Sequence, residues 1–127
     1  MPIHLHDFVQ KLALTLPEVH CSQPFGDGCD VYKVMDKVFL LSTHLKGQAI
    51  CNLKVLPDEG VMLREIYPYI HVGWHMNKKH WISIYQHQDI DQGLLQDLVK
   101  NSYALVVSKL NKLQRQRIEL LQSINKD

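Results

Sequence analysis

The chain has 127 residues, a formal net charge of +1, 46% apolar residues and 21% charged residues. That length suits one domain with a single core, here taken as residues 1–127, and the composition is that of an ordinary globular protein. No apolar run approaches the ~18–20 residues that span a bilayer, and near-neutral charge argues against a surface wholly given over to nucleic-acid backbone.

The first residues, Met1 to Asp7, lack the cationic and apolar regions of a secretory signal. Cys21, Cys29 and Cys51 are odd in number and show no C-x-x-C spacing. They read as free, mostly buried thiols in a reducing cytoplasm. Residues 3–15 carry Leu5, Phe8, Val9, Leu12 and Leu16 at helical spacing, and Pro17 stops that helix. Residues 18–29 form a connector with the turn formers Pro24, Gly26 and Gly28. Val31–Met35 and Val38–Thr43 are rich in β-branched and aromatic residues and predict a hairpin turning at Asp36-Lys37. A third strand, Gln48 to Val55, follows the Lys46-Gly47 turn.

Pro57 opens a short helix with Asp58 and Glu59 in its first turn. Val61, Met62, Leu63 and Ile66 supply its predicted buried face, and Pro68 ends it. Tyr69–Trp74 and Trp81–Gln86 read as the fourth and fifth strands. A long helix capped by Asp89 or Asp91 follows, broken or bent at Asn111, and a final helix extends from Lys112 towards Asp127. The order α-β-β-β-α-β-β-α, with a C-terminal helical extension, predicts an α+β two-layer sandwich on an antiparallel five-stranded sheet. One sheet face carries the helices, and the other is free to meet a partner.

The densest chemistry lies in Gly73–Tyr85, which holds both tryptophans, two histidines and the pair Lys78-Lys79. Met76 to His80 reads as a loop of polar donors leading into the strand Trp81–Tyr85. Lys78, Lys79, Asn77 and His80, with Lys33 and Lys54 on neighbouring strands, suit phosphate contacts, and an exposed Trp74 or Trp81 suits stacking on an unpaired base. A second basic run comprises Lys109, Lys112, Arg115 and Arg117. Against this, lysine pairs in loops are usually solvated, strand lysines usually face water, and tryptophans at strand starts are usually core.

A metal site draws little support. His71 and His75, and His75 and His80, have spacings that could converge, but on a strand His71 and His75 stand ~13 Å apart, the pair His4/His6 is loose, and no cysteine or carboxylate completes a set. An acid–base pair of His75 or His80 with Ser102 or Tyr103 is conceivable. No phosphate loop, nucleophile elbow or carboxylate dyad accompanies it, so those side chains read better as structural, with Tyr103 tying the last helix to the sheet. A non-enzymatic role is preferred over catalysis, and no cofactor or metal is expected.

His75-Met76-Asn77-Lys78-Lys79-His80-Trp81, followed by Ser102-Tyr103, resembles the MmcQ/YjbR family of small bacterial proteins. Pro24-Phe25-Gly26, Lys37 with Phe39, Lys54 and Leu63-Arg64-Glu65 fit the same pattern. Two positions depart from it: Val72-Gly73 where the family commonly has Pro-Gly, and a hairpin turn without glycine. The resemblance implies a fold similar to secretion chaperones and frataxin-like sandwiches, and a proposed double-stranded DNA-binding role through a double-wing motif. The resulting expectation is DNA binding through Lys33, Lys54, His75, Asn77, Lys78, Lys79 and His80. The alternative is a non-enzymatic adaptor that takes a protein or small ligand on the open sheet face, around Tyr32, Lys33, Val34 and Lys54.

Overall fold

A computed structural model describes residues 3–124. In chain order it contains α1 (Leu5–Ala13), β1 (Val19–Ser22), β2 (Asp30–Val34), β3 (Lys37–Leu45), β4 (Gln48–Lys54), α2 (Pro57–Ile66), β5 (Ile70–Val72), β6 (Trp81–Tyr85), α3 (Gln92–Val107) and α4 (Lys112–Ile124). The fold is α+β, and the antiparallel sheet has the order β1-β2-β3-β4-β6-β5. It has six strands, not five. The extra one is β1, inside the stretch expected to be a connector, and it pairs Val19–Ser22 with Val34–Val31.

Cross-strand partners share a face, because strand side chains alternate. Tyr32, Leu40, Leu53 and Ile82 therefore line one face, with Cys51, Ile84 and Ile70 beside them. The chain covers this face with α1 and α3, burying Leu5 and Val9 of α1 and Leu95, Val99 and Tyr103 of α3 in one core with it. Between Tyr32 and Lys33 the register slips by one residue. That bulge leaves Phe39 unopposed and buries it in the same core as Leu40, edge-to-face with Tyr103 at 5.4 Å.

Several expectations move. The first helix is shorter than residues 3–15 and ends at Ala13. The hairpin turn sits at Met35-Asp36, not Asp36-Lys37, and both turn residues have positive φ (48° and 66°), the pattern of a type I′ turn. Its right-handed twist matches the strands, and Lys37 already belongs to β3. The Lys46-Gly47 turn repeats the pattern. The expected buried face of α2 is largely exposed: Val61, Met62 and Ile66 face solvent, and only Leu63 packs on the core. The buried residue of α2 is Gly60. A Cβ there would lie 3.1 Å from Val55 Cγ2, so the helix approaches the sheet through its backbone. Of the three thiols only Cys51 is buried; Cys21 is exposed on β1 and Cys29 half-exposed.

Asp91 caps α3, its carboxylate accepting from Leu94 N–H at 2.8 Å. Helix α3 ends at Val107 with Ser108 as its C-cap, short of the break expected at Asn111, and Asn111 caps α4: its Oδ1 accepts from Gln114 N–H, and Gln114 Oε1 accepts from Asn111 N–H. Helix α4 inserts Ile118 into the core, and Arg117 pairs with Glu18 at 2.9 Å. The end of that helical tail, residues 125–127, lies outside the described residues. No helix among the described residues is long and apolar enough to cross a membrane.

Candidate functional site

The sheet face turned away from the helices carries Val31, Lys33, Leu41, Thr43, Asn52, Lys54, His71, Ser83 and Tyr85, by the same alternation. Two of these are polar and wholly enclosed: Asn52 is 1% exposed and Ser83 0%. What encloses them is the stretch after β5. Trp74 N–H donates to Ser83 Oγ at 2.8 Å, and Asn52 Nδ2 donates to the Trp74 carbonyl at 3.0 Å. The Ser83 hydroxyl donates in turn to Asn52 Oδ1. A buried polar pair on β4 and β6 thus holds the main chain of Trp74 flat against the sheet.

Gly73 makes that approach possible. Its N–H donates to the Trp81 carbonyl at 3.0 Å, and a Cβ at Gly73 would lie 2.7 Å from Trp81 Cβ. The chain then turns at His75, in the left-handed region at φ 56°. Met76 N–H points back to the Gly73 carbonyl at 3.4 Å. Histidine, with asparagine and aspartate, is among the non-glycine residues that adopt this conformation most readily.

The loop divides the open face in two. On the β3 side lies a hollow of about 390 Å³. Leu41, Thr43 and Asn52 form its floor; Phe25 and Cys29 stand on one side, and Trp74, His75 and Met76 on the other. Phe25 is 76% exposed, unusual for so large an apolar ring. On the β5 side lies a wider groove of about 800 Å³, lined by His71, Tyr85 and His87 together with Lys78. Trp74 and His75 border both, their rings 4.2 Å apart. The His71 ring meets Tyr85 edge-on at 4.9 Å. His87 Nδ1 accepts from Asp89 N–H at 3.0 Å, which places the proton of the neutral ring on Nε2.

The seven residues expected to bind nucleic acid therefore separate. His75 and Lys78 border the groove. Lys54, Asn77 and His80 line a different cleft of about 310 Å³, with Trp81 and Lys109. Lys79 is exposed and lines neither. Lys33 shares the open face with Lys54 but lies two strands away on β2. Asn77 has internal work: its Oδ1 accepts from Lys79 N–H at 2.9 Å and from His80 N–H at 3.3 Å, and its carbonyl accepts from Trp81 N–H.

Ser102 and Tyr103 are not paired with either histidine. The buried Ser102 hydroxyl donates to the Phe39 carbonyl at 2.6 Å and accepts from Lys54 N–H at 2.8 Å, locking α3 to β3 and β4. Tyr103 donates to the Pro17 carbonyl at 2.7 Å, so it ties α3 to the turn after α1. Burial pushes its phenol up to about 12 and that of Tyr32 higher still. His4 and His6 diverge: His4 sits beside Asp7, and His6 Nε2 lies 3.0 Å from the Ile50 carbonyl. No group of three or more His, Cys, Asp or Glu among the described residues is placed to hold a metal. The hollow was missed in the sequence, although a phenylalanine between Pro24 and Gly26 in a turn-rich stretch was a signal for an exposed ring.

The YjbR family model matches residues 14–105, the span from the end of α1 almost to the end of α3. The chain belongs to the YjbR family. It is 45% identical over 114 residues to the uncharacterised protein YbdF of Escherichia coli O157:H7, covering 90% of this chain and 93% of that one. It is 27% identical over 78 residues to the uncharacterised protein YjbR of E. coli K12, covering 61% and 66%. Among solved structures it resembles protein DR2400 of Deinococcus radiodurans, with a TM-score of 0.81 and 31% identity over 90% of this chain and 87% of that one. A Pseudomonas syringae protein shares the fold, with a TM-score of 0.69 and 21% identity over 81% and 98%. Family membership thus places β1 through most of α3 in a shared scaffold and leaves the chemistry of the open face to be argued from its own residues.

Proposed function

We propose that this YjbR-family protein is a non-enzymatic binding module that takes a small apolar or aromatic molecule on the open face of its sheet. The observation that carries this reading is the hollow between Phe25 and Trp74. At about 390 Å³ it falls within the ~300–1,000 Å³ typical of small-molecule sites. Its lining is mostly apolar, with Thr43 and Asn52, whose amide nitrogen and oxygen each have a protein partner, as the polar floor. Its walls are fixed by the sheet and by a loop anchored through buried hydrogen bonds, so little ordering is required on binding. An exposed aromatic ring beside such a hollow gives a ligand a surface to stack on.

The test is titration with the neutral fluorophore N-phenyl-1-naphthylamine. Saturable enhancement is expected, with loss on filling the hollow by Thr43→Trp. Absence of saturable binding, or equal binding by a folded Thr43→Trp variant, overturns the reading.

A second reading, duplex DNA binding, is favoured by one observation: Lys54, Asn77 and His80 share a cleft with Lys109. Lys78, Lys79, His75 and Lys33 lie outside that cleft, and on this reading they would add contacts to a duplex that extends beyond it. Its test is a mobility shift on random duplex at two salt concentrations. The pair Lys54→Ala/Lys109→Ala should weaken binding and lower the salt slope by about one per lost phosphate contact. No shift at low salt removes this reading.

A further inference from the structure

We infer that the ligand of the open face is an aromatic anion: its ring system sits in the hollow, and its acidic group reaches past Trp74 and His75 to the groove on the β5 side. This inference rests on the small-ligand reading and adds the ligand's charge and its second contact region.

Three features support it. First, the hollow and the groove are not separate sites, because Trp74 and His75 border both. A molecule seated against one side of this pair projects naturally to the other. Second, the two regions differ in chemistry. Apart from the shared His75, the hollow has no cationic or carboxylate side chain in its lining, whereas the groove adds the Lys78 ammonium and the imidazoles of His71 and His87, and no carboxylate lines it. Outside the lining, Asp89 is mostly exposed with a carboxylate oxygen 3.8 Å from His87 Nδ1, and Asp91 lies beside Tyr69. A neutral His87 still presents Nε2–H as a donor, since its Nδ1 is occupied by Asp89 N–H. An anion therefore meets one fixed cation and several N–H donors, without repulsion from the lining. Third, His75, which borders both regions, is held in the left-handed conformation by the anchored loop. His75 is exposed, so its imidazole is accessible to a ligand that spans the two regions.

The inference is tested by comparing N-phenyl-1-naphthylamine with 8-anilinonaphthalene-1-sulfonate, similar ring systems without and with an anionic group. The sulfonate is expected to bind more tightly than the neutral probe. Lys78→Ala should weaken the sulfonate roughly tenfold, the loss of one charge-assisted contact, and leave the neutral probe unchanged. Lys78 is exposed and its side chain has no hydrogen-bond or ion-pair partner among the described residues, so its removal is expected to leave the fold intact, which urea unfolding checks. Phe25→Ala, at a solvent-exposed ring, should weaken both probes and serves beside Thr43→Trp should that variant not fold. If the neutral probe binds but the sulfonate binds no better, or if Lys78→Ala leaves the sulfonate unaffected, the anionic inference falls and the hollow stands. If neither probe binds, both fall.

Discussion

Ser83→Ala is the most informative single change in the molecule, because one hydroxyl holds the loop that separates the hollow from the groove. That hydroxyl accepts from Trp74 N–H and donates to Asn52 Oδ1, and Ser83 is 0% exposed. Removing it leaves a buried amide N–H and a buried amide oxygen without their partner. Each such group costs about 1–3 kcal/mol, so a loss of about 2–4 kcal/mol is expected after partial relaxation. Asn52→Ala removes the other bond to the Trp74 main chain and should cost a similar amount. The double variant should be less destabilised than the sum, because both changes break one network, with a coupling of about 0.5–3 kcal/mol. Urea unfolding followed by circular dichroism measures the stability terms. Tryptophan emission and binding of the neutral naphthyl probe report the loop, which should loosen, with red-shifted emission and weaker binding. A Ser83→Ala protein within about 0.5 kcal/mol of the parent and still binding the probe would falsify the anchored-loop account.

Gly73→Ala should destabilise by roughly 2–3 kcal/mol in thermal unfolding, because its Cβ would press on Trp81 Cβ and the Trp81 carbonyl oxygen, neither of which can swing away. Ser102→Ala should cost about 2 kcal/mol by leaving buried Lys54 N–H and Phe39 carbonyl groups short of a partner, yet leave probe affinity unchanged in the folded fraction. His75→Gly should stay within about 1 kcal/mol of the parent stability, since glycine accepts the left-handed backbone, while sulfonate affinity falls. Stability should decline as pH rises from about 9 towards 12. Burial raises the Cys51 thiol from its ordinary 9.0 to about 12 and the Tyr103 phenol from 10.0 to about 12, so the folded state keeps protons that the unfolded chain releases. This contribution is whole below pH 9, and an alkaline unfolding series with flat stability across the window contradicts it.

Much of the scaffold could be read from spacing. The stripe Leu5, Val9 and Leu12 marked α1, and the hydrophobic run of β4 and the alternation of β6 marked strands that the sheet indeed pairs. Strand β1 could not be read, because Val19-His20-Cys21-Ser22 has one clearly apolar β-former and lies at an edge, where pairing with β2 rather than burial defines it. The Met35-Asp36 turn was misplaced by one residue because methionine rarely takes positive φ; the register of the flanking strands overrides its preference. For α2, the apolar residues Val61, Met62 and Ile66 suggested a buried side that Gly60 in fact supplies, since close backbone approach leaves no apolar signature. The candidate site was legible as a concentration of donors but not as an arrangement. Which side of the loop each donor occupies is set by Asn52 and Ser83, which contact Trp74 across separations of 22 and 9 residues and look like unremarkable strand residues in the sequence.

The motif from His75 to Trp81 therefore has two kinds of residue, and this decides how its variants must be interpreted. Asn77 faces inward in function: its side-chain oxygen receives the Lys79 and His80 amides, and its carbonyl receives that of Trp81. Asn77→Ala should cost about 1–2 kcal/mol, as the loss of a helix cap does, and would displace Lys78 and His80 together. A binding defect in that variant says nothing of whether asparagine touches a ligand. Lys78 and Lys79, by contrast, make no internal side-chain bond and differ only in location: Lys78 borders the groove and Lys79 does not. Their separate alanine variants share the same charge change and the same intact loop, so a difference between them isolates position from charge. Sulfonate affinity lowered by Lys78→Ala but not by Lys79→Ala assigns the lysine contact to the groove. Equal effects on sulfonate affinity would mean that diffuse charge, not the partitioned open face, attracts the anion.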